Sequence, residues 1–154
     1  MSVTNLVPVL TLDGPSGAGK GTIGQLCSLK FGWHYLDSGA IYRGLAWLAQ
    51  DQKVATSDIA SLVSLADNME LICRVREHDV AQIEVNGHNI TDLIRTDEAG
   101  QKASEIAPIK EVRAALLKMQ RRCRKAPGLV ADGRDMGTTV FPDAEFKVFL
   151  TASA

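Results

Sequence analysis

Between Gly14 and Lys20 the chain reads Gly-Pro-Ser-Gly-Ala-Gly-Lys, a spacing that suits one kind of chemistry, the binding of a polyphosphate. In a G-x-x-x-x-G-K frame the glycines take up backbone conformations closed to other residues. The peptide N–H groups then turn inward and cradle phosphate oxygens. Lys20 adds a mobile positive charge for the outer phosphates. The candidate contacts are Gly14, Pro15, Ser16, Gly17, Ala18, Gly19, Lys20, Gly21 and Thr22. Where such loops usually place a magnesium-ligating Ser or Thr directly after the lysine, this one has Gly21, with Thr22 one residue later. No dedicated protein site for Mg2+ is therefore expected. The ion would arrive with the nucleotide, held by phosphate oxygens near Thr22 and Asp132, with Asp13 able to share the work.

Such a loop has meaning only between a strand and a helix, and both are predicted. Residues 7–12 form a short apolar run ended by Asp13-Gly14. Ile23, Leu26, Cys27, Leu29 and Phe31 then follow at helical spacing up to Gly32, a C-cap signal. A second strand is expected at 33–36, and Asp37-Ser38 can cap a helix reaching about residue 50. Ser57-Asp58 opens another helix, ending near Asn68. The pattern then changes to strands at 69–76 and 81–85, with Asn86-Gly87 as a two-residue hairpin signal before 88–91. Thr96 begins a helix through about Ile106. A longer basic helix covers 110–124 and is stopped by Pro127-Gly128. Apolar strands are expected at 129–132 and 146–150.

Strands alternating with helices imply a parallel sheet that binds ligands at the carboxyl ends of its strands. The glycine loop, Asp37-Ser38 and Asp132-Gly-Arg-Asp135 all fall at such ends. Asp132, closing an apolar strand, is the candidate carboxylate for the metal-bound phosphates.

The glycine loop with its Gly-Lys-Gly-Thr ending, Leu36-Asp-Ser-Gly-Ala-Ile-Tyr-Arg-Gly44 and Ala131-Asp-Gly-Arg-Asp-Met-Gly-Thr138 together resemble the bacterial cytidylate kinases. The likeness continues through residues 94–104, 112–117 and 141–144. The resemblance implies a P-loop NTPase three-layer α/β sandwich with a parallel sheet. It also implies a small antiparallel β insert, at about 62–98, in the monophosphate-binding region. By the same resemblance, residues 1–154 form a single, incomplete P-loop kinase core that transfers the γ-phosphoryl group of ATP to CMP or dCMP, in the cytoplasm. It assigns Ser38, Arg43 and Arg134 to the acceptor phosphate, and Ser104, Arg113 and Asp135 to cytosine. Lys20, Arg43, Arg134 and Asp132 would carry the catalysis. Residue chemistry agrees, because a guanidinium fork suits a phosphate dianion and a carboxylate can accept the cytosine amino group.

Members of this family continue into an arginine-bearing lid, a further strand and a C-terminal helix, for which this chain has no counterpart. The expectation is a fragment of a longer enzyme, monomeric when complete. Alone it would turn over weakly, with one sheet edge and an apolar face exposed to self-association. Two other readings stay open, a P-loop kinase with UMP or AMP as acceptor and a non-catalytic nucleotide-binding module.

Composition removes several further classes. With 17 Lys and Arg against 18 Asp and Glu the net charge is -1, which offers no general attraction to a nucleic acid polymer or an acidic membrane. No apolar run approaches the roughly 18 residues of a membrane span. The 3 cysteines stand far apart without metal-ligand spacing. His34, His78 and His88 are read as bystanders, and Trp33 and Trp47 as packing residues.

Overall fold

A computed structural model describes residues 6–15 and 17–151. Contacts divide the chain into two compact units, one made of Met1–Leu36 with Arg121–Ala154 and the other of Asp37–Gln120.

The first unit is built on a four-stranded sheet. Its strands are β1 (Val9–Asp13), β2 (His34–Asp37), β6 (Leu129–Gly133) and β7 (Phe146–Phe149), in the order β2-β6-β1-β7. β1 pairs in parallel with β6, setting Leu12 beside Asp132 and Asp13 beside Gly133, and in parallel with β7 on its other side. Val9, Leu12, Leu129, Val130 and Ala131 are almost wholly buried, as expected for central parallel strands read as unbroken apolar runs. Helix α1 (Lys20–Phe31) packs on β1 and β6 and ends where predicted, at Gly32 with φ 67°. Its Gly24 is there for space: a Cβ would stand 2.9 Å from Tyr35 Cε1 and 3.3 Å from Leu12 Cδ1.

β7 differs from its expected apolar role. It lies at the sheet edge, and Phe146, Lys147, Val148 and Phe149 are all exposed, so its apolar side chains remain uncovered among the described residues. A one-turn π-helix over Met136–Val140, which no sequence signal announced, fills the segment between β6 and β7.

The second unit holds α2 (Ser38–Asp51), α3 (Ile59–Asn68), α4 (Asp97–Ile106) and most of α5 (Lys110–Arg122). With them is an antiparallel sheet of β3 (Leu71–Arg74), β4 (Gln82–Val85) and β5 (His88–Asn89). Asn86 and Gly87 both have positive φ, 48° and 84°, as the tight hairpin between β4 and β5 requires. β3 is shorter than its apolar run because its partner stops at Gln82, which pairs with Arg74, so the ladder has no acceptor for residues 75 and 76. Asp37, Asp58 and Thr96 cap α2, α3 and α4 by accepting from Ala40, Ser61 and Ala99 N–H groups. Gly44 lets α2 lie close to the small sheet, with Leu71 and Val85 methyls 3.1 Å from the place of a Cβ.

Candidate active site

In the first unit, β1 delivers the chain into the glycine loop and α1 takes it away. Gly14 has φ 151°, and a Cβ there would overlap the Leu150 carbonyl, whose own N–H donates to Asp13 O at 2.8 Å. Gly17 and Gly19, both at φ 83°, complete the turn, with Gly19 as the left-handed N-cap of α1. Lys20 is the first helical residue, so the leading N–H groups of α1 have no acceptor within the helix and point back toward the loop. Ser16 lies outside the described residues. Pro15, Gly17 and Thr22 are exposed, and Ala18 and Gly21 half-buried, beside the loop.

Lys20 Nζ stands 3.1 Å from Asp132 Oδ1, with its side chain 18% exposed and that of Asp132 only 5%. The other carboxylate oxygen, Oδ2, accepts a 2.7 Å hydrogen bond from the Tyr35 hydroxyl. Oδ1 itself is buried without a hydrogen bond among the described residues and faces the Lys20 ammonium. A buried carboxylate oxygen in this condition calls for a cation. Gly21 adjoins the same group, its Cβ position 3.8 Å from Asp132 Oδ2. Asp13, expected to share the metal, makes other bonds. Asp13 Oδ1 accepts from Met136 N and Oδ2 from Gly137 N, both at 2.8 Å, so the two oxygens are engaged with backbone.

Arg134 is exposed and Asp135 half-buried, just past the end of β6. The Asp135 carbonyl accepts from Thr139 and Val140 N–H groups at 2.9 and 3.1 Å, which fastens Asp135 to the π-turn.

In the second unit, Ser38 opens α2 directly after the Asp37 cap. Arg43, one turn further along, sends Nη1 to the Ile94 carbonyl at 2.9 Å. Its Nη2 lies 3.4 Å from the Cβ position of Gly100, so the guanidinium rests close against the Gly100 backbone. Ser104 is exposed on α4 and donates to the Gly100 carbonyl at 2.9 Å. Arg43 and the Ser104 hydroxyl thus both reach the Gly100 turn. Arg113 is exposed on α5.

Burial pushes the Cys123 thiol above its ordinary value, against the opposing pull of Lys125 and Arg122. Among the described residues no helix is long and apolar enough to cross a membrane.

The profile of the Cytidylate kinase family matches residues 10–154. The chain belongs to the cytidylate kinase family. It is 54% identical over 149 residues to the cytidylate kinase of Aeromonas salmonicida, an alignment covering 97% of this chain and 64% of that protein. To the cytidylate kinase of a Marinomonas species it is 51% identical, with 97% and 66% covered, and to that of Colwellia psychrerythraea 48%, with 96% and 65% covered. The chain therefore spans about two thirds of the length of these curated relatives. Family membership agrees with the α/β fold, its parallel sheet and its separate antiparallel sheet.

Tyr35 was not foreseen as part of the site, and Asp13 was foreseen only as a carboxylate that could share the metal, not as an acceptor for the Met136 and Gly137 N–H groups. The available signal for Tyr35 was a hydroxyl-bearing ring inside an apolar strand, where the hydroxyl must find a partner.

Proposed function

We propose that the chain binds ATP through the loop from Gly14 to Thr22 and CMP or dCMP through Ser38, Arg43, Ser104, Arg113, Arg134 and Asp135. On this reading it moves the γ-phosphoryl group in line onto an oxygen of the acceptor phosphate. The observation that carries the proposal is the Lys20–Asp132 pair beside the P-loop, with one carboxylate oxygen buried and without a hydrogen bond. The new bond is between an acceptor phosphate oxygen and the γ-phosphorus, the broken bond is to the β–γ bridging oxygen, and ADP leaves. An acceptor phosphate is already anionic, so no general base is required. The protein's work is orientation and charge neutralisation.

Lys20, released from Asp132, would follow the outer phosphates, and the leading N–H groups of α1 would hold them. Mg2+ fits the donor set: Asp132 Oδ1 and the Thr22 hydroxyl would hold it together with phosphate oxygens, and it would supply charge neutralisation there. Arg43 and Arg134 supply guanidinium forks for the acceptor phosphate. Ser104, Arg113 and Asp135 would read cytosine. Uracil reverses donor and acceptor at two ring positions and would leave these partners unpaired once the base covers them. A small cytoplasmic nucleotide enzyme follows from this reading, with neither a nucleic acid polymer nor a membrane as partner.

The test is calorimetric binding of CMP and of a non-hydrolysable ATP analogue, followed by phosphotransfer with CMP, dCMP, UMP and AMP. Expected are separate sites for the two nucleotides, loss of analogue affinity by about 10- to 100-fold in Lys20→Met, and preference for the cytidine nucleotides. Equal use of UMP defeats the cytosine assignment. Analogue binding with no CMP site defeats the kinase reading in favour of a nucleotide-binding module.

A further inference from the structure

We infer that Asp13 and Arg121 are positioning residues that clamp the π-turn from its two ends and thereby hold Arg134 and Asp135 where the acceptor nucleotide needs them. The inference rests on the proposed role of those two residues in CMP binding. A one-turn π-helix is an uncommon conformation whose end groups lack internal partners, so its persistence needs an outside cause. Both ends have one. At the start, the two oxygens of the buried Asp13 carboxylate, in a residue 6% exposed, each take one backbone N–H, from Met136 and Gly137. At the finish, the Arg121 guanidinium donates through Nε to the Val140 carbonyl at 3.1 Å and through Nη2 to the Thr139 carbonyl at 3.2 Å. An anion caps the N–H end and a cation the carbonyl end, the sense in which the peptide dipoles of the turn are stabilised.

Packing removes the slack. A Cβ on Gly137 would stand 2.8 Å from Thr11 Oγ1 and 3.3 Å from Asp13 Oδ2, so glycine is what lets the turn settle against β1 within reach of the carboxylate. The clamped turn in its turn holds the Asp135 carbonyl by two N–H groups. Asp13 is also the residue that leads into the glycine loop. One side chain therefore ties the triphosphate loop to the segment bearing Arg134 and Asp135. Arg121 has no place in the loop, and among the described residues its guanidinium bonds go to that segment.

The experiment compares the unsubstituted chain with Asp13→Asn, Arg121→Met and Arg134→Met. It measures calorimetric affinities for CMP and for a non-hydrolysable ATP analogue, and hydrogen exchange at the Met136 and Gly137 amides by NMR. Asp13→Asn keeps one acceptor but sets an amino group against the second N–H. It should speed exchange at these amides and weaken CMP about tenfold more than the ATP analogue. Arg121→Met, a change at an exposed residue, should show the same selective loss and keeps the test open if Asp13→Asn fails to fold. If Arg134→Met weakens CMP while Arg121→Met leaves it unchanged, the clamp is overturned and the functional reading stands. If the unsubstituted chain binds no CMP, the functional reading falls and takes the role of the clamp with it, whatever the exchange data show.

Discussion

Asp132 illustrates how burial decides the worth of a single polar group. Its carboxylate is almost wholly enclosed, one oxygen held by Tyr35 and the other facing Lys20. In so little water the loss of a donor is felt at nearly full desolvation cost. Tyr35→Phe removes only a hydroxyl, yet it is expected to lower stability by about 1–3 kcal/mol, read from the midpoint of urea unfolding. A change below about 0.5 kcal/mol would mean that water replaces the hydroxyl and reaches the carboxylate. Lys20 and Asp132 were both singled out from the glycine frame and the strand end, and the structure brings them together at 3.1 Å. Tyr35 was not, because a strand residue reveals which face it occupies only when its neighbours across the sheet are known.

At the scale of the element, α1 shows a conflict between helix propensity and packing. Gly24 weakens an isolated helix by about 1 kcal/mol relative to alanine, so Gly24→Ala would stabilise an exposed helix. Here a Cβ would meet the Tyr35 ring and a Leu12 methyl, and overpacking of this kind costs about 1–3 kcal/mol. The packing effect is expected to win, lowering the thermal midpoint and lengthening the Tyr35–Asp132 hydrogen bond. A raised midpoint would show that the ring gives way freely. Caps and turns were readable in advance because they depend on adjacent residues: Asp58, Thr96, Gly32 and Asn86-Gly87 all act where their types suggested. The π-turn was not readable, since both of its supports come from elsewhere in the chain.

For the whole molecule, Arg124 joins distant parts of the first unit. It donates to the Val7 carbonyl at 2.6 Å and to Asp143 at 2.9 Å. The Arg124 hydrogen bond holds the Asp143 carboxyl below its ordinary value of 3.8, outweighing the opposing effect of desolvation. A carboxyl depressed in the folded state adds stability that is present above the unfolded pKa and is lost as pH falls through the lower folded value. The stability curve should therefore drop below about pH 4, and Asp143→Asn should flatten that drop. Because Asp143 is half exposed, screening limits the effect at neutral pH to about 1 kcal/mol or less. An acid limb as steep in Asp143→Asn as in the unsubstituted chain would assign the transition to other carboxylates, Asp58 among them, whose bonds to Ser61 also lower its pKa.

From the sequence alone came the phosphate loop, the alternation of strands and helices, the antiparallel hairpin and the family. Each of these is written in local spacing, where backbone preference and nearest neighbours settle the outcome. Tertiary structure alone decided that Asp13 spends its carboxylate on backbone N–H groups, that Tyr35 holds Asp132, and that Arg121 closes a turn of unusual pitch. Those roles depend on groups brought together across the sheet, and a buried charge takes its meaning from whichever partners surround it.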